Sequence, residues 1–248
     1  ELLAWVHDHN AGRSLKGFKL LTLGWSDGVS FLPLDFTLCS SAKTGKRLQG
    51  VTKEVDKRCC GYQRRREAMT KSTRHLETMV KRVQARGIRA DYLLMDSWFA
   101  FPSILACLGK LLPVICMGKN LPKVFYRHDG QWLTLGRVFD KLKKRPGRAR
   151  ILASTVVETK KEQQVKIVFV RHRQKRQWLA ILSTRIDLAD EEIVRIYGKR
   201  WDIEVFFKTL KHHLNLERET QLRDFDGIIG HITIVMSRYV FLAFEQRC

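Results

Sequence analysis

The 248-residue sequence predicts an α/β fold interrupted by a β-rich subdomain. Three observations carry this. Tyr92-Leu93-Leu94-Met95 and Leu112 to Met117 are short, continuous apolar runs of the kind that fill central strands, and a helical segment separates them. Between Lys119 and Leu182, short β-type runs alternate with basic loops. From Ala189 a single amphipathic helix is expected to run to about Leu214. Strands alternating with helices, then a block of strands, then helices again, is the order of an α/β core with an insertion.

The elements follow in sequence. Phe18 to Trp25 and Val29 to Leu38 are strand-like and meet at Ser26-Asp27-Gly28, which predicts a hairpin. Lys43 to Gly61 is basic and Gly-containing, a loop or linker. Arg64 to Ala85 lacks Gly and Pro and predicts one helix, ended by Gly87. The β-type runs are Lys123 to Tyr126, Ile151 to Val157, Val165 to Val170 and Trp178 to Leu182. The expected parts are therefore 1–118 as the first part of the core, 119–182 as the β-rich insertion and 183–248 as the core's completion.

The net charge of +21 calls for a polyanionic partner, and nucleic acid is the first candidate. The charge is confined to two blocks. Lys43 to Arg89 holds 15 basic against 4 acidic residues, and Arg137 to Arg176 holds 14 against 3. Confinement suits a binding surface better than a general solubility device. Lys143-Lys144-Arg145 is the densest run of the second block.

Six cysteines occur without a C-x-x-C pair, and His212-His213 has no thiol near it in sequence. That argues against a zinc site or a disulfide scaffold and for a reduced, cytoplasmic protein. Phe99 to Gly118 is broken as a membrane span by Pro102, Lys110 and Pro113, and Ile228 to Phe244 by His231 and Arg238, so no membrane partner is expected.

Asp96 directly follows the apolar run Tyr92 to Met95. A carboxylate there suits a ligand site at the carboxyl end of a strand, and equally the cap of the next helix. On one continuous helix from Ala189, Tyr197, Arg200, Glu204, Lys208 and Lys211 would share an arc of roughly 80°, beside an apolar stripe of Ile196, Ile203, Phe207, Leu210 and Leu214. By spacing alone, Glu204 would also pair with Lys208 on a solvated face.

Tyr197, Arg200, Glu204 and Lys211 spell Y-x2-R-x3-E-x6-K. With "DYLLMDSWF", "QWLAILSTRIDLADEEIVRIYGKRW" and "DIEVFFKTLKHHLNLE", the chain from about Leu15 to Leu216 resembles the bacterial insertion-sequence DDE transposases with the Tyr-Arg-Glu-Lys signature. The resemblance implies a ribonuclease-H-like, retroviral-integrase-like catalytic core. It also implies an Asp-Asp-Glu triad holding two Mg²⁺ or Mn²⁺ ions, with Asp96 second and Glu204 third. Tyr197, Arg200 and Lys211, with Lys208 on the same face, would then grip phosphates. Trp178 would stand where relatives stack a flipped base, although a core Trp in a strand satisfies the same position. The implied partners are double-stranded DNA, as inverted-repeat ends and target, and a second copy in a synaptic homodimer.

The family's first Asp belongs to a strand upstream of the Gly-Phe-Lys hairpin. Asp8 in His7-Asp8-His9 is a poor substitute because no apolar strand is expected before it, Asp27 falls in a turn, and Asp35 in the hairpin's second strand. The chain reads as a fragment lacking that Asp, and by itself it is expected to bind metal weakly and cleave poorly. A remnant that only binds DNA, and another ribonuclease-H-like metal nuclease, are the other readings.

Overall fold

The computed structural model describes residues 1–8, 12–52, 54–172, 177–217 and 221–247. They form two compact units, one of Glu1–Ile88 with Asp202–Cys248 and one of Arg89–Trp201. His9, Lys53, Arg173 to Arg176 and Cys248, which enter the expectations above, lie outside the described residues.

In the first unit, β1 (Ala4–Asp8) pairs antiparallel with β2 (Arg13–Gly17). A strand therefore does lead into Asp8, contrary to the expectation. Its inward residues, buried Ala4 and half-buried Val6, alternate with exposed Trp5 and His7, a half-buried pattern too short to stand out in the sequence. The predicted hairpin is present as β3 (Lys19–Ser26) and β4 (Phe31–Cys39). Asp27 Oδ1 accepts from the backbone N–H of Val29 and Ser30, at 2.9 and 2.7 Å, and Gly28 takes φ +92°. Gly24 stands against the Phe31 ring, where an added Cβ would come within 2.1 Å of it.

The helix expected over Arg64 to Ala85 is two helices, α1 (Cys60–Ala68) and α2 (Ser72–Ala85). Lys71 takes an extended conformation, and the buried His75 spends its Nε2 on the Glu67 carbonyl at 2.9 Å. Tertiary bonding at the joint thus overrides a sequence that carries no helix breaker. Arg65 of α1 is 2% exposed and pairs with Glu1 and with Asp226, each at 2.7 Å. Two carboxylates satisfy a guanidinium that could not otherwise be buried. Asp226 belongs to α7 (Phe225–Glu245), whose N-cap Asp224 accepts from Gly227 N–H at 3.0 Å. By length and composition α7 could cross a membrane, and His231 and Arg238 do not interrupt it. Its Phe225, Ile232, Val235 and Met236 nevertheless join Leu2, Phe31, Phe36 and Leu38 in this unit's core.

The second unit is built on a seven-stranded mixed sheet. β5 (Leu93–Met95) lies parallel to β6 (Val114–Gly118), with α3 (Pro102–Leu108) between them in sequence. Beyond β6 come β11 (Trp178–Ser183), β10 (Gln164–Arg171), β9 (Ile151–Thr159), β7 (Phe125–His128) and β8 (Gln131–Thr134), all antiparallel. One difference from expectation follows. Among the described residues β5 is an edge strand and not a central one. The strands of 119–182 continue the sheet of β5 and β6, because β6 pairs directly with β11. Asp129 and Gly130, both at positive φ, make the β7–β8 turn, an Asp-Gly signal that the sequence reading passed over.

α4 (Leu135–Lys141) buries Leu135 and Val138. α5 (Asp190–Gly198) packs Ile193, Val194, Ile196 and Tyr197 with Ile115, Val168 and Ile181 of the sheet. Asp190, at the start of α5, is 7% exposed and is held by Ser154 at 2.7 Å, Arg145 at 2.9 Å and Lys166 at 3.0 Å.

Candidate functional site

The apolar strand β5 ends at buried Met95, and Asp96 emerges exposed at its carboxyl end. Its Oδ1 accepts from Ser97 N–H at 2.6 Å and so caps a single 3₁₀ turn, Ser97–Phe99. The parallel neighbour β6 ends at Gly118, which puts Lys119 at the same end of the sheet, with Nζ 5.6 Å from the centre of the Trp98 ring. The last turn of α5 brings Tyr197, 8% exposed, with the Arg200 guanidinium 5.6 Å from its ring centre. Burial pushes the Tyr197 phenol up to about 12. Arg200 opposes that shift, and the charge of Asp96 adds to it. At neutral pH the phenol is therefore a proton-bearing donor. A carboxylate, a phenol, an indole and two cations thus gather where two parallel strands end, the usual place of a ligand site in an open α/β sheet.

The helix expected from Ala189 to Leu214 is broken. α5 ends at Gly198, and α6 (Trp201–His212) begins after a tight turn in which Lys199 and Arg200 donate to the carbonyls three residues back, at 3.1 and 3.0 Å. Tyr197 and Arg200 belong to the second unit, and Glu204, Lys208 and Lys211 to the first. The apolar stripe is shifted too, for Phe206 is fully buried whereas Ile203 and Phe207 are partly buried.

Glu204 sits half-buried in the first turn of α6. Two residues earlier, Asp202 accepts from Ser26 Oγ at 2.5 Å, a tie between helix and hairpin within the first unit. Lys208 is exposed, and Lys211 pairs with Glu217 at 2.8 Å.

Trp178, the expected stacking residue, packs inside a protein cluster, 5.1 Å from both Phe139 and Phe169. Trp178 is half-buried there. Of the basic run, Arg145 is engaged with Asp190 and, at 3.4 Å, with Glu191. Lys144 donates to Asp140 O and lies over Phe139, and Lys143 is exposed. Internal pairing also draws on the first basic block. Arg64 pairs with Glu67, Arg65 with Glu1 and Asp226, Lys81 with Glu77, and Arg82 with Asp35 and Glu67.

The other candidate carboxylates have structural work. Asp27 is held near 2 by the Ser30 and Val29 amides and by Arg247, and Asp35 pairs with Arg82 at 2.8 Å. Asp8 ends β1 opposite Arg13. Among the described residues, no three His, Cys, Asp or Glu side chains form a metal-binding group. Asp96 and Glu204 are oxygen donors of the hardness that Mg²⁺ or Mn²⁺ takes, so they fit such an ion in kind but do not supply a full protein ligand set. Sequence reasoning missed Trp98 and Lys119, although "DSWF" placed an indole two residues beyond Asp96.

A mixed sheet with this cluster at its strand ends makes the second unit an α/β arrangement. A family model described as DDE superfamily endonuclease matches residues 2–177, and one described as archaeal putative transposase ISC1217 matches residues 152–244. The chain belongs to the DDE superfamily endonuclease family, and its activity class is that of a transposase-type nuclease. No curated protein and no solved structure matches it.

Proposed function

We propose that the protein is a DNA transposase that cleaves and transfers strands at transposon ends, on a ribonuclease-H-like core into which 119–182 is inserted. The observation that carries this reading is the placement of Asp96, exposed at the end of the apolar strand β5, in the family's matched region and near enough to Tyr197 for its charge to raise that phenol. Asp96 and Glu204 would each hold Mg²⁺ or Mn²⁺. When bound, such an ion lowers the pKa of the attacking hydroxyl and offsets charge on the leaving oxygen.

The chain's own groups supply the rest. Tyr197 keeps its proton and donates to a phosphate oxygen. Arg200 offers a planar pair of N–H groups to the same phosphate. Lys208 and Lys211 add charge along α6, and Lys143 and Lys144 hold flanking duplex. The partners are double-stranded DNA and a second copy of the chain in the synaptic complex, within the cytoplasm.

Nicking of a duplex carrying the native transposon end, with and without EDTA, by the chain joined to any upstream segment that its encoding DNA supplies, tests the reading. Metal-dependent nicking that Glu204→Gln abolishes while binding persists is the expected result. Full activity in Glu204→Gln would contradict it. A second reading, a DNA-binding protein without catalysis, is favoured by one observation, the lack of a three-ligand group among the described residues. Metal-independent binding with no nicking would select it.

A further inference from the structure

The turn of the β3–β4 hairpin holds the start of α6. Asp27 fixes the turn by accepting from the Val29 and Ser30 N–H groups, and Ser26 Oγ accepts from Gly28 N–H at 2.9 Å. The Ser26 hydroxyl in turn donates to Asp202 of α6 at 2.5 Å, the length of an O–H bond onto a carboxylate. Four residues along α6, Phe206 is fully buried. Its ring lies 4.9 Å from Phe31, the first residue of β4, and 4.8 Å from Tyr239 of α7. Asp202 and Phe206 are therefore two points at which α6 rests on one hairpin.

What lies between these points is Glu204. At about 100° per residue, Asp202 and Phe206 stand roughly 40° apart round the helix, and Glu204 falls about 180° from their midpoint. Lys208 and Lys211 fall within roughly 40° of Glu204. Apolar packing keeps α6 on the core but is non-directional. A hydrogen bond has direction, and one at the first turn fixes the rotation of the helix about its axis. A side chain reaching about 5–6 Å from that axis moves by about 2 Å when the helix turns by about 20°. That is about ten times the tolerance of a metal–ligand distance, roughly 0.2 Å.

We infer that Ser26 and Asp202 are positioning residues for Glu204. Their hydrogen bond sets the rotation of α6 and so aims Glu204, Lys208 and Lys211 together. The inference rests on reading Glu204 as a ligand of Mg²⁺ or Mn²⁺. Asp202 acts through the helix and touches neither the metal nor DNA.

The test is Mn²⁺ affinity without DNA, read from the electron paramagnetic resonance signal of free Mn²⁺. It uses the chain joined to any upstream segment that its encoding DNA supplies, with urea midpoints on the same preparations. Ser26→Ala and Asp202→Ala should each weaken Mn²⁺ binding about tenfold, as loss of a residue that orients a ligand does. The double variant should lose no more than either single, because both remove one bond. Ser26→Thr keeps the hydroxyl and Asp202→Asn keeps an accepting oxygen, so both should retain most of the affinity. Arg247→Ala is the control. It breaks the 2.9 Å tie between Asp27 and the residue just beyond α7, and should leave Mn²⁺ affinity unchanged. Should Asp202→Ala fail to fold, Ser26→Ala against Ser26→Thr carries the test. Unchanged affinity in Ser26→Ala, with Mn²⁺ lost in Glu204→Gln, would overturn the inference and leave the ligand reading standing. Equal loss in Asp202→Asn and Glu204→Gln, with Ser26→Ala unchanged, would make Asp202 a ligand and overturn it too. Unchanged affinity in Glu204→Gln would remove the ligand reading and the inference with it.

Discussion

The Arg200 guanidinium lies 5.6 Å from the centre of the Tyr197 ring, and the Tyr197 phenol is pushed up to about 12, first by burial. A pKa raised in the folded state above the ordinary value near 10 means that the folded protein keeps a proton the unfolded chain loses. Stability from this group is full below pH 10 and is lost as pH rises toward 12. A titration at 295 nm of the protein minus Tyr197→Phe should show a component with its midpoint near 12. A midpoint near 10 would place the phenol in water.

Arg145 and Lys143 sit two residues apart but should behave differently. Arg145 is bound to Asp190, which is held below the usual carboxylate range by Ser154, Lys166 and Arg145 against its burial. Such a group stabilises the fold above the unfolded pKa near 4, and the benefit is lost as pH falls through the lower folded value. Arg145→Ala should lower the melting temperature and weaken this acid-sensitive stabilisation. Lys143→Ala should leave the melting temperature alone and reduce the salt slope of DNA binding by about one. Thermal melts at pH 7 and pH 3 and a salt titration separate the two.

The buried Arg65 holds Glu1 and Asp226 at once. Arg65→Met leaves the carboxylates facing each other without a cation. It should cost about 3–5 kcal/mol, the usual penalty for breaking a buried pair, read as a lower urea midpoint. A change under about 1 kcal/mol would mean that the carboxylates find water or another partner.

Gly24 and Phe31 form a similar couple by shape. A methyl at Gly24 collides with the Phe31 ring, which itself packs 4.9 Å from Phe206. Gly24→Ala should destabilise by about 1–3 kcal/mol. Combined with Phe31→Leu it should cost less than the sum of the two singles, in a chemical-denaturation cycle. Strict additivity would show that the ring moves aside freely.

These couplings also explain what the sequence made legible. The β3–β4 hairpin and β5 were readable because local signals suffice for them, an Asp-Gly turn and an uninterrupted apolar run. The break between α5 and α6 was not, because a tight turn at Lys199–Arg200 barely alters apolar spacing in the sequence. Arg145 read as free charge because its partner, Asp190, is 45 positions away. Trp178 was given a stacking role by the family resemblance, and its neighbours Phe139 and Phe169 belong to other elements. Asp96 could be placed at a strand end from its neighbours alone. The company of Tyr197, Lys119 and Trp98 needed the sheet.

The most direct test is Asp96→Asn in the chain joined to any upstream segment that its encoding DNA supplies, with Mn²⁺-dependent nicking of a transposon-end duplex and DNA affinity measured on the same preparation. The substitution keeps the side chain's size and an oxygen able to accept from Ser97 N–H, and it removes the charge. Nicking should fall by about a hundred- to thousandfold, as for loss of a preorganised electrostatic group, with DNA affinity not reduced. Nicking at the rate of the unaltered protein would contradict the account, because the exposed carboxylate at the end of β5 would then be only a helix cap.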